Sequence, residues 1–89
     1  MRVEKSTHTI FTLMDDGTGL LLNLQTRFYY SLNRTGVAVW KELEHTNPTT
    51  LEDLVRATCE RFDVDQDAAR REIAAFVGQL EDFRMVRVS

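Results

Sequence analysis

Few side chains in this sequence belong to the types that carry covalent or metal chemistry. The two histidines, His8 and His45, are far apart in the chain and match no zinc-ligand spacing. The single cysteine, Cys59, falls on the apolar stripe of a predicted helix, where a free thiol behaves as a small hydrophobic group. A nucleophilic hydrolase needs a serine or cysteine with a histidine close to it in space. We therefore expect no catalytic residue, no metal ion and no cofactor, and we do not expect an enzyme.

Two other motifs that resemble functional sites have structural explanations. The segment Gly17-Thr18-Gly19 is too short for a phosphate-binding loop, and it follows Asp15-Asp16 in a stretch of turn residues. The acids Glu81-Asp82 are neighbours on a predicted helix, so their side chains diverge. The glycine segment therefore predicts a hairpin turn. The adjacent acids supply no convergent pair of carboxylates for acid–base catalysis.

Length and composition are those of a small globular domain. The chain has 89 residues, of which 43% are hydrophobic and 28% charged. Its first residues lack the apolar region of a secretory signal, and no apolar run approaches the ~20 residues of a membrane span. A single cysteine allows no internal disulfide, which fits a reducing compartment. We expect one domain over residues 1–89, located in the cytoplasm and without a membrane partner.

The charge distribution argues against a polyanionic partner. The formal net charge is −3, and the excess of acids falls within residues 48–65. No basic stripe occurs along the chain, whereas affinity for DNA depends on a concerted set of phosphate contacts. We expect no nucleic-acid partner.

The first third of the chain predicts an antiparallel sheet. Three runs rich in β-branched, aromatic and leucine residues are separated by short polar turns, and they cover His8–Met14, Leu20–Leu24 and Phe28–Leu32. Strands joined by tight connections pair with their neighbours in the sequence. The three runs therefore predict a meander in which Phe28–Leu32 is an outer strand.

The remainder of the chain predicts three helices. Asn33 is a suitable N-cap for a helix that ends near Glu44, and Thr49 or Thr50 caps a second helix. Asp65 caps the third helix, which has the clearest apolar periodicity in the sequence. The stripe of this helix consists of Ala69, Ile73, Phe76, Leu80 and Phe83.

The predicted order is three strands followed by three helices, with Met85–Val88 as a tail or a short closing strand. This order indicates an α+β fold of the winged helix-turn-helix type. Winged helices commonly bind DNA through the third helix, but here that helix mixes Arg70 and Arg71 with four acids. DNA binding stays the alternative function, and a structural dimerisation domain is a further one.

The third predicted strand is the feature most open to a partner. Edge strands are usually protected by lysine, proline or an inward charge, and this one has none. Such an edge is either a dimer seam or a docking site for an extended peptide. We expect the side chains of Phe28, Tyr30 and Leu32 in the core. Alternate residues would donate to an added strand, either Phe28 with Tyr30 or Tyr29 with Ser31.

A row of residues on the third helix predicts the opposite wall of a peptide groove. The row consists of Arg70, Ala74, Val77 and Glu81. Ala74, Ala75 and Gly78 are small, so they either let another chain approach or pack closely within the domain. Arg70 and Arg71 are placed to attract carboxylates of a bound peptide.

Several segments, in their joint order and spacing, resemble the PqqD-like family. They are Gly19-Leu20-Leu21-Leu22-Asn23-Leu24, Arg27-Phe28-Tyr29-Tyr30-Ser31-Leu32-Asn33-Arg34-Thr35-Gly36, Val39-Trp40, Thr50-Leu51-Glu52-Asp53-Leu54, Arg61-Phe62-Asp63-Val64-Asp65 and Leu80-Glu81-Asp82-Phe83. The resemblance covers roughly residues 9–86.

The resemblance implies a winged helix-turn-helix that recognises the leader of ribosomally made, modified peptides. The leader would add as a strand to the third strand, beside the third helix, and be presented to a leader peptidase or another modifying enzyme. The implied peptide-binding residues are Phe28, Tyr29, Tyr30 and Ser31 on the strand, and Arg70, Arg71, Ala74 and Val77 on the helix. A chain of this length resembles the free-standing leader-binding subunits of lasso-peptide pathways more than the protein of pyrroloquinoline quinone synthesis. A homodimer is the alternative occupant of the strand edge.

Overall fold

Strands and helices alternate along the chain more than the predicted order suggests. In the computed structural model, which describes residues 1–89, the elements are β1 (Arg2–Lys5), β2 (Thr9–Leu13), β3 (Gly19–Asn23), β4 (Tyr29–Leu32), α1 (Arg34–His45), β5 (Thr49–Thr50), α2 (Leu51–Arg61), α3 (Gln66–Asp82) and β6 (Val86–Val88). The predicted α+β class is confirmed, since three helices pack with antiparallel sheets.

β2, β3 and β4 form the predicted meander, with β3 in the centre. Leu21 of β3 lies opposite Phe11 and Tyr30, and its side chain is fully buried. The turn between β2 and β3 is held by Asp16, whose carboxylate accepts hydrogen bonds from the N–H and the hydroxyl of Thr18. β4 pairs with β3 alone, which confirms that it is an edge strand.

A second antiparallel sheet, in the order β5-β1-β6, is absent from the predicted order. Val3 of β1 pairs with both Thr49 and Val88, and its side chain is fully buried. β1 has four residues, β5 has two and β6 has three, so these strands are too short to display the alternation that predicts a strand. Of the two alternatives for Met85–Val88, a tail or a short closing strand, the structure shows the strand, over Val86–Val88.

The three helices begin at capping residues read from the sequence. The side chain of Asn33 accepts a hydrogen bond from the N–H of Gly36 at 2.7 Å, which begins α1. Thr50, rather than Thr49, caps α2, and Asp65 caps α3. None of the helices combines the length and the apolar composition of a membrane-spanning segment.

One hydrophobic core joins the helices to both sheets. Its largest fully buried side chains are those of Trp40, Leu21, Leu43, Leu54, Leu80 and Met85. The buried stripe of α3 also includes Val77, and Phe76 packs half-buried against the core as predicted. The prediction is corrected at Phe83, which is 40% exposed. Cys59 packs half-buried against the core.

Candidate functional site

The free edge of β4 exposes the backbone groups of Tyr29 and Ser31. The N–H of Asn23 donates to the carbonyl of Phe28 at 2.9 Å, which places Phe28 on the side of β4 that bonds to β3. Peptide groups alternate in direction along a strand, so Tyr30 also bonds to β3 while Tyr29 and Ser31 point away from it. The sequence left open which pair of residues points its backbone groups towards the free edge, and in the structure this pair is Tyr29 and Ser31. Their outward N–H and C=O groups bond to no other element.

A buried asparagine fixes β4 against α3. The side chain of Asn23 accepts hydrogen bonds from the N–H groups of Gln25 and Thr26, and it donates to the carbonyl of Arg84 at 2.6 Å. The first two bonds shape the turn that leads into β4, and the third joins this turn to the segment that follows α3. Because Asn23 is only 2% exposed, these bonds form away from competing water.

The opposite end of β4 passes directly into α1. Leu32 is buried, and a side chain at Gly36 would come within 3.4 Å of Leu32 and within 3.3 Å of the capping oxygen of Asn33. Gly36 therefore allows the first turn of α1 to lie close to the end of the strand. Gly36 of the Thr-Gly motif therefore has a packing role at this end.

A groove with a volume of about 670 Å³ is lined by β4 and α3 together with residues of α1, α2 and the α2–α3 connection, and we refer to it as the β4–α3 groove. Its lining residues are Tyr30, Ser31, Leu32, Asn33, Thr35, Gly36, Val39, Thr58, Phe62, Val64, Asp65, Ala68, Ala69, Glu72, Ile73, Phe76 and Gln79. The set is largely apolar and includes two acids, Asp65 and Glu72, but no lysine or arginine.

Aromatic side chains close one end of the groove. The ring of Tyr30 packs against Phe76 and Phe83, with centroid distances of 6.2 and 5.3 Å, and Phe83 also meets Phe28 edge to face at 6.1 Å. The hydroxyl of Tyr30 donates to the side chain of Gln79. β4 and α3 are therefore held at a fixed separation next to the open part of the groove.

On β4, the predicted site residues are found together at the free edge. Tyr30 and Ser31 line the groove, and Tyr29 is 66% exposed. The expectation that Phe28, Tyr30 and Leu32 are core side chains is met by Leu32 alone in full. Tyr30 is half-buried, and Phe28 is 47% exposed because it lies at the strand end beside Phe83.

On α3, none of the four residues predicted to bind the peptide lines the groove, so their part in peptide binding stays a prediction. Val77 is fully buried in the core, and Arg70 lies 3.7 Å from Glu52 of α2. Neither Arg71 nor Ala74 is among the lining residues. The α3 residues that line the groove are Ala68, Ala69, Glu72, Ile73, Phe76 and Gln79. Of these, Phe76 and Gln79 contact Tyr30 of β4. Phe76, an aromatic residue on the predicted apolar stripe, was the signal in the sequence for this face.

The stripe of small residues on α3 is not explained by packing within the domain. A side chain at Gly78 would meet no atom within 4 Å, and Ala75 is exposed. The interpretation of Gly78 as a close-packing position is therefore wrong.

No set of three His, Cys, Asp or Glu side chains is placed to hold a metal ion. The pKa of Glu4 is lowered, first by its hydrogen bond from Arg87, and the pKa of Asp16 is lowered by hydrogen bonds from Thr18. Both carboxyls lie outside the groove. Glu4 supports the pairing of β1 with β6, and Asp16 supports the turn between β2 and β3.

Comparison with known families agrees with this architecture. Residues 18–86 match the family described as coenzyme PQQ synthesis protein D. The chain belongs to the PqqD family. The match includes β3, β4, all three helices and the start of β6, so both walls of the groove fall within the PqqD region.

Two solved structures share the fold over nearly the whole chain. TbiB1 in complex with the TbiA(beta) leader peptide has a TM-score of 0.85 and 26% sequence identity, covering 97% of this chain and 96% of that one. A lasso peptide synthetase B1 complexed with the leader peptide has a TM-score of 0.79 and 22% identity, covering 97% and 98%. No curated protein gives a significant sequence match.

Proposed function

We propose that this PqqD-family chain is a non-catalytic recognition domain for the leader of a ribosomally made precursor peptide. The observation that carries the proposal is the free edge at Tyr29 and Ser31, which borders a largely apolar groove. TbiB1, which has the same fold at 26% identity, is described in complex with a leader peptide. An extended segment of the leader would add to β4 as a fourth strand of the meander.

The backbone supplies most of the attachment in this arrangement. The outward N–H and C=O groups of Tyr29 and Ser31 form the hydrogen bonds of the added strand, each worth ~1 kcal/mol net. Alternate side chains of the leader point to the same side as Tyr30 and Leu32, which is the side of the groove. Apolar leader side chains are removed from water there, against Ile73.

The bound leader would then be presented to a processing enzyme, a leader peptidase or another modifying enzyme of the same pathway. In this proposal residues 1–89 act as one recognition domain in the cytoplasm, where the precursor is synthesised. A homodimer through β4 would occupy the same backbone groups as the leader, so the two modes of binding exclude each other.

The DNA-binding alternative has no support from the structure or the comparisons. The exposed surface of α3 carries Glu72, Glu81 and Asp82 beside Arg71, so it offers phosphates no concerted set of cations. The structures with the same fold are described with leader peptides.

A peptide selection tests the proposal with a matched pair of edge variants. A phage-displayed library of random 15-residue peptides is selected against the immobilised protein, and the dissociation constant of the best synthetic peptide is measured by fluorescence anisotropy. Ser31→Pro removes an outward N–H from β4 and is expected to weaken binding at least about fivefold. Leu13→Pro removes an outward N–H from β2, the opposite edge of the same sheet, and is expected to leave binding unchanged.

Both variants are first shown to be folded by circular dichroism. Failure to enrich any peptide, or equal affinity of the wild-type protein and a folded Ser31→Pro variant, would contradict strand addition at β4.

A further inference from the structure

The charge of the β4–α3 groove is opposite to the one expected from the arginines of α3. Glu72 lines the groove and is exposed, and its side chain forms no ion pair or hydrogen bond. Asp65 lines it as well, and its carboxylate caps the start of α3. Arg70 is drawn away towards Glu52 of α2. An entering peptide therefore meets negative charge and no cation along the lining of the groove.

The distance along α3 between Glu72 and Phe76 determines which residues of a bound peptide could contact both side chains. Glu72 precedes Phe76 by four residues of α3, which places it about 6 Å along the helix axis from Phe76. In an added strand, side chains two residues apart point to the same face and are separated by about 6.6 Å. The separation of two successive groove-facing side chains of the peptide is thus close to the separation of Phe76 and Glu72 along the helix axis.

We propose that Glu72 is a specificity-determining residue that selects leaders with a lysine or arginine two positions from an apolar residue. The inference rests on the proposed function, because it requires a strand bound at β4. The apolar residue packs at the level of Tyr30 and Phe76, and the ammonium or guanidinium group meets the carboxylate of Glu72. Because the pair is exposed, its contribution corresponds to about a two- to fivefold change in affinity at low salt.

Charge reversal tests this assignment with the library of random 15-residue peptides as the probe. The wild-type protein is expected to enrich peptides with a basic residue two positions from an apolar one. Glu72→Lys is expected to enrich acidic residues at that position instead. Glu81→Lys makes the same change of net charge on the same helix but outside the groove, and it is expected to keep the wild-type preference.

The best synthetic peptide and its basic-to-glutamine variant then complete a double-mutant cycle with Glu72→Gln. Loss of the basic residue is expected to weaken binding two- to fivefold to the wild-type protein and not to Glu72→Gln. Identical charge preferences of the wild-type protein and Glu72→Lys would overturn the role of Glu72. If Ser31→Pro still weakened binding at least about fivefold in that case, strand addition would stand and only the specificity assignment would fail. If no peptide were enriched by any variant, the proposed function itself would fail.

Discussion

The hydroxyl of Tyr30 donates a hydrogen bond to the side chain of Gln79, which joins the edge strand β4 directly to α3. These residues are far apart in the sequence, yet they form the two walls of one groove. The contact lies beside the rings of Phe76 and Phe83, so polar and aromatic contacts act together at the closed end of the groove. A leader strand would therefore enter a groove whose walls are already positioned, which reduces the entropy lost on binding.

Removing the hydroxyl tests how much this contact contributes. Tyr30→Phe keeps the ring contacts with Phe76 and Phe83 but removes the hydrogen bond, so the free energy of unfolding is expected to fall by about 0.5–1 kcal/mol. Tyr29→Phe removes the hydroxyl of an exposed ring and is expected to change it by less than about 0.3 kcal/mol. Urea unfolding followed by tryptophan fluorescence measures both. Equal unfolding midpoints for the two variants would show that the bond to Gln79 adds nothing.

Two glycines give opposite expectations for the same substitution. A methyl group at Gly19 would lie 2.7 Å from the ring of Phe11 and 2.9 Å from the side chain of Val37, so Gly19→Ala is expected to destabilise the fold by about 1–3 kcal/mol. Gly78→Ala places the methyl group in open space on α3 and is expected to stabilise it by up to about 1 kcal/mol. Thermal unfolding measures both changes. A stabilising Gly19→Ala would contradict the packing between the sheet and α1.

Proline separates the inward from the outward residues of β4. Tyr30→Pro removes an N–H that bonds to β3 and brings the proline ring into the ladder, so this variant is expected to unfold or to lose at least about 3 kcal/mol. Ser31→Pro acts on an outward N–H and is expected to stay folded. Circular dichroism and urea unfolding distinguish the two. A folded Tyr30→Pro with an unfolded Ser31→Pro would mean that the assigned directions are reversed.

Acid weakens the β2–β3 turn through Asp16. The hydroxyl and N–H of Thr18 donate to its carboxylate and lower its pKa below the ordinary value of 3.8. A lowered pKa in the folded state adds stability above the unfolded value, and this contribution is lost as the pH falls through the folded value. Asp16→Ala is thus expected to destabilise the fold more at neutral pH than well below pH 3.8. Asp15→Ala, which removes the adjacent carboxylate, is the control. An Asp16→Ala effect that is independent of pH would exclude this role.

The parts of the fold that depend on local sequence could be predicted. Asn33 and Asp65 each supply a side-chain oxygen to the first turn of a helix, and such caps act within a few residues. The meander likewise needs only short turns between adjacent strands. The second sheet could not be predicted, because Val3 pairs with Thr49 and Val88, which are distant in the sequence and belong to very short strands.

The sequence predicted the free strand edge beside the groove, but not which face of α3 lines the groove. The unprotected edge is a property of the β4 sequence itself, and the structure adds the directions of Tyr29 and Ser31. The groove face of α3 depends on how the helix rotates when Val77 enters the core, and that rotation is fixed by packing against other elements. An apolar residue in the middle of a helix is compatible with either face, so the sequence did not show that Val77 is buried in the core or that Glu72 lines the groove.

Amide hydrogen exchange at β4, measured by NMR on the 15N-labelled protein, tests strand addition most directly. In the free protein, the Tyr29 and Ser31 amides are expected to exchange rapidly, whereas the Tyr30 amide is protected by its bond to β3. A saturating amount of the best library-selected peptide is expected to slow exchange at Tyr29 and Ser31 at least about fivefold, the factor for a hydrogen bond of ~1 kcal/mol. The Leu13 amide, at the opposite edge, serves as the control and is expected to stay unchanged. A bound peptide that left the Tyr29 and Ser31 amides as exposed as before would contradict the account.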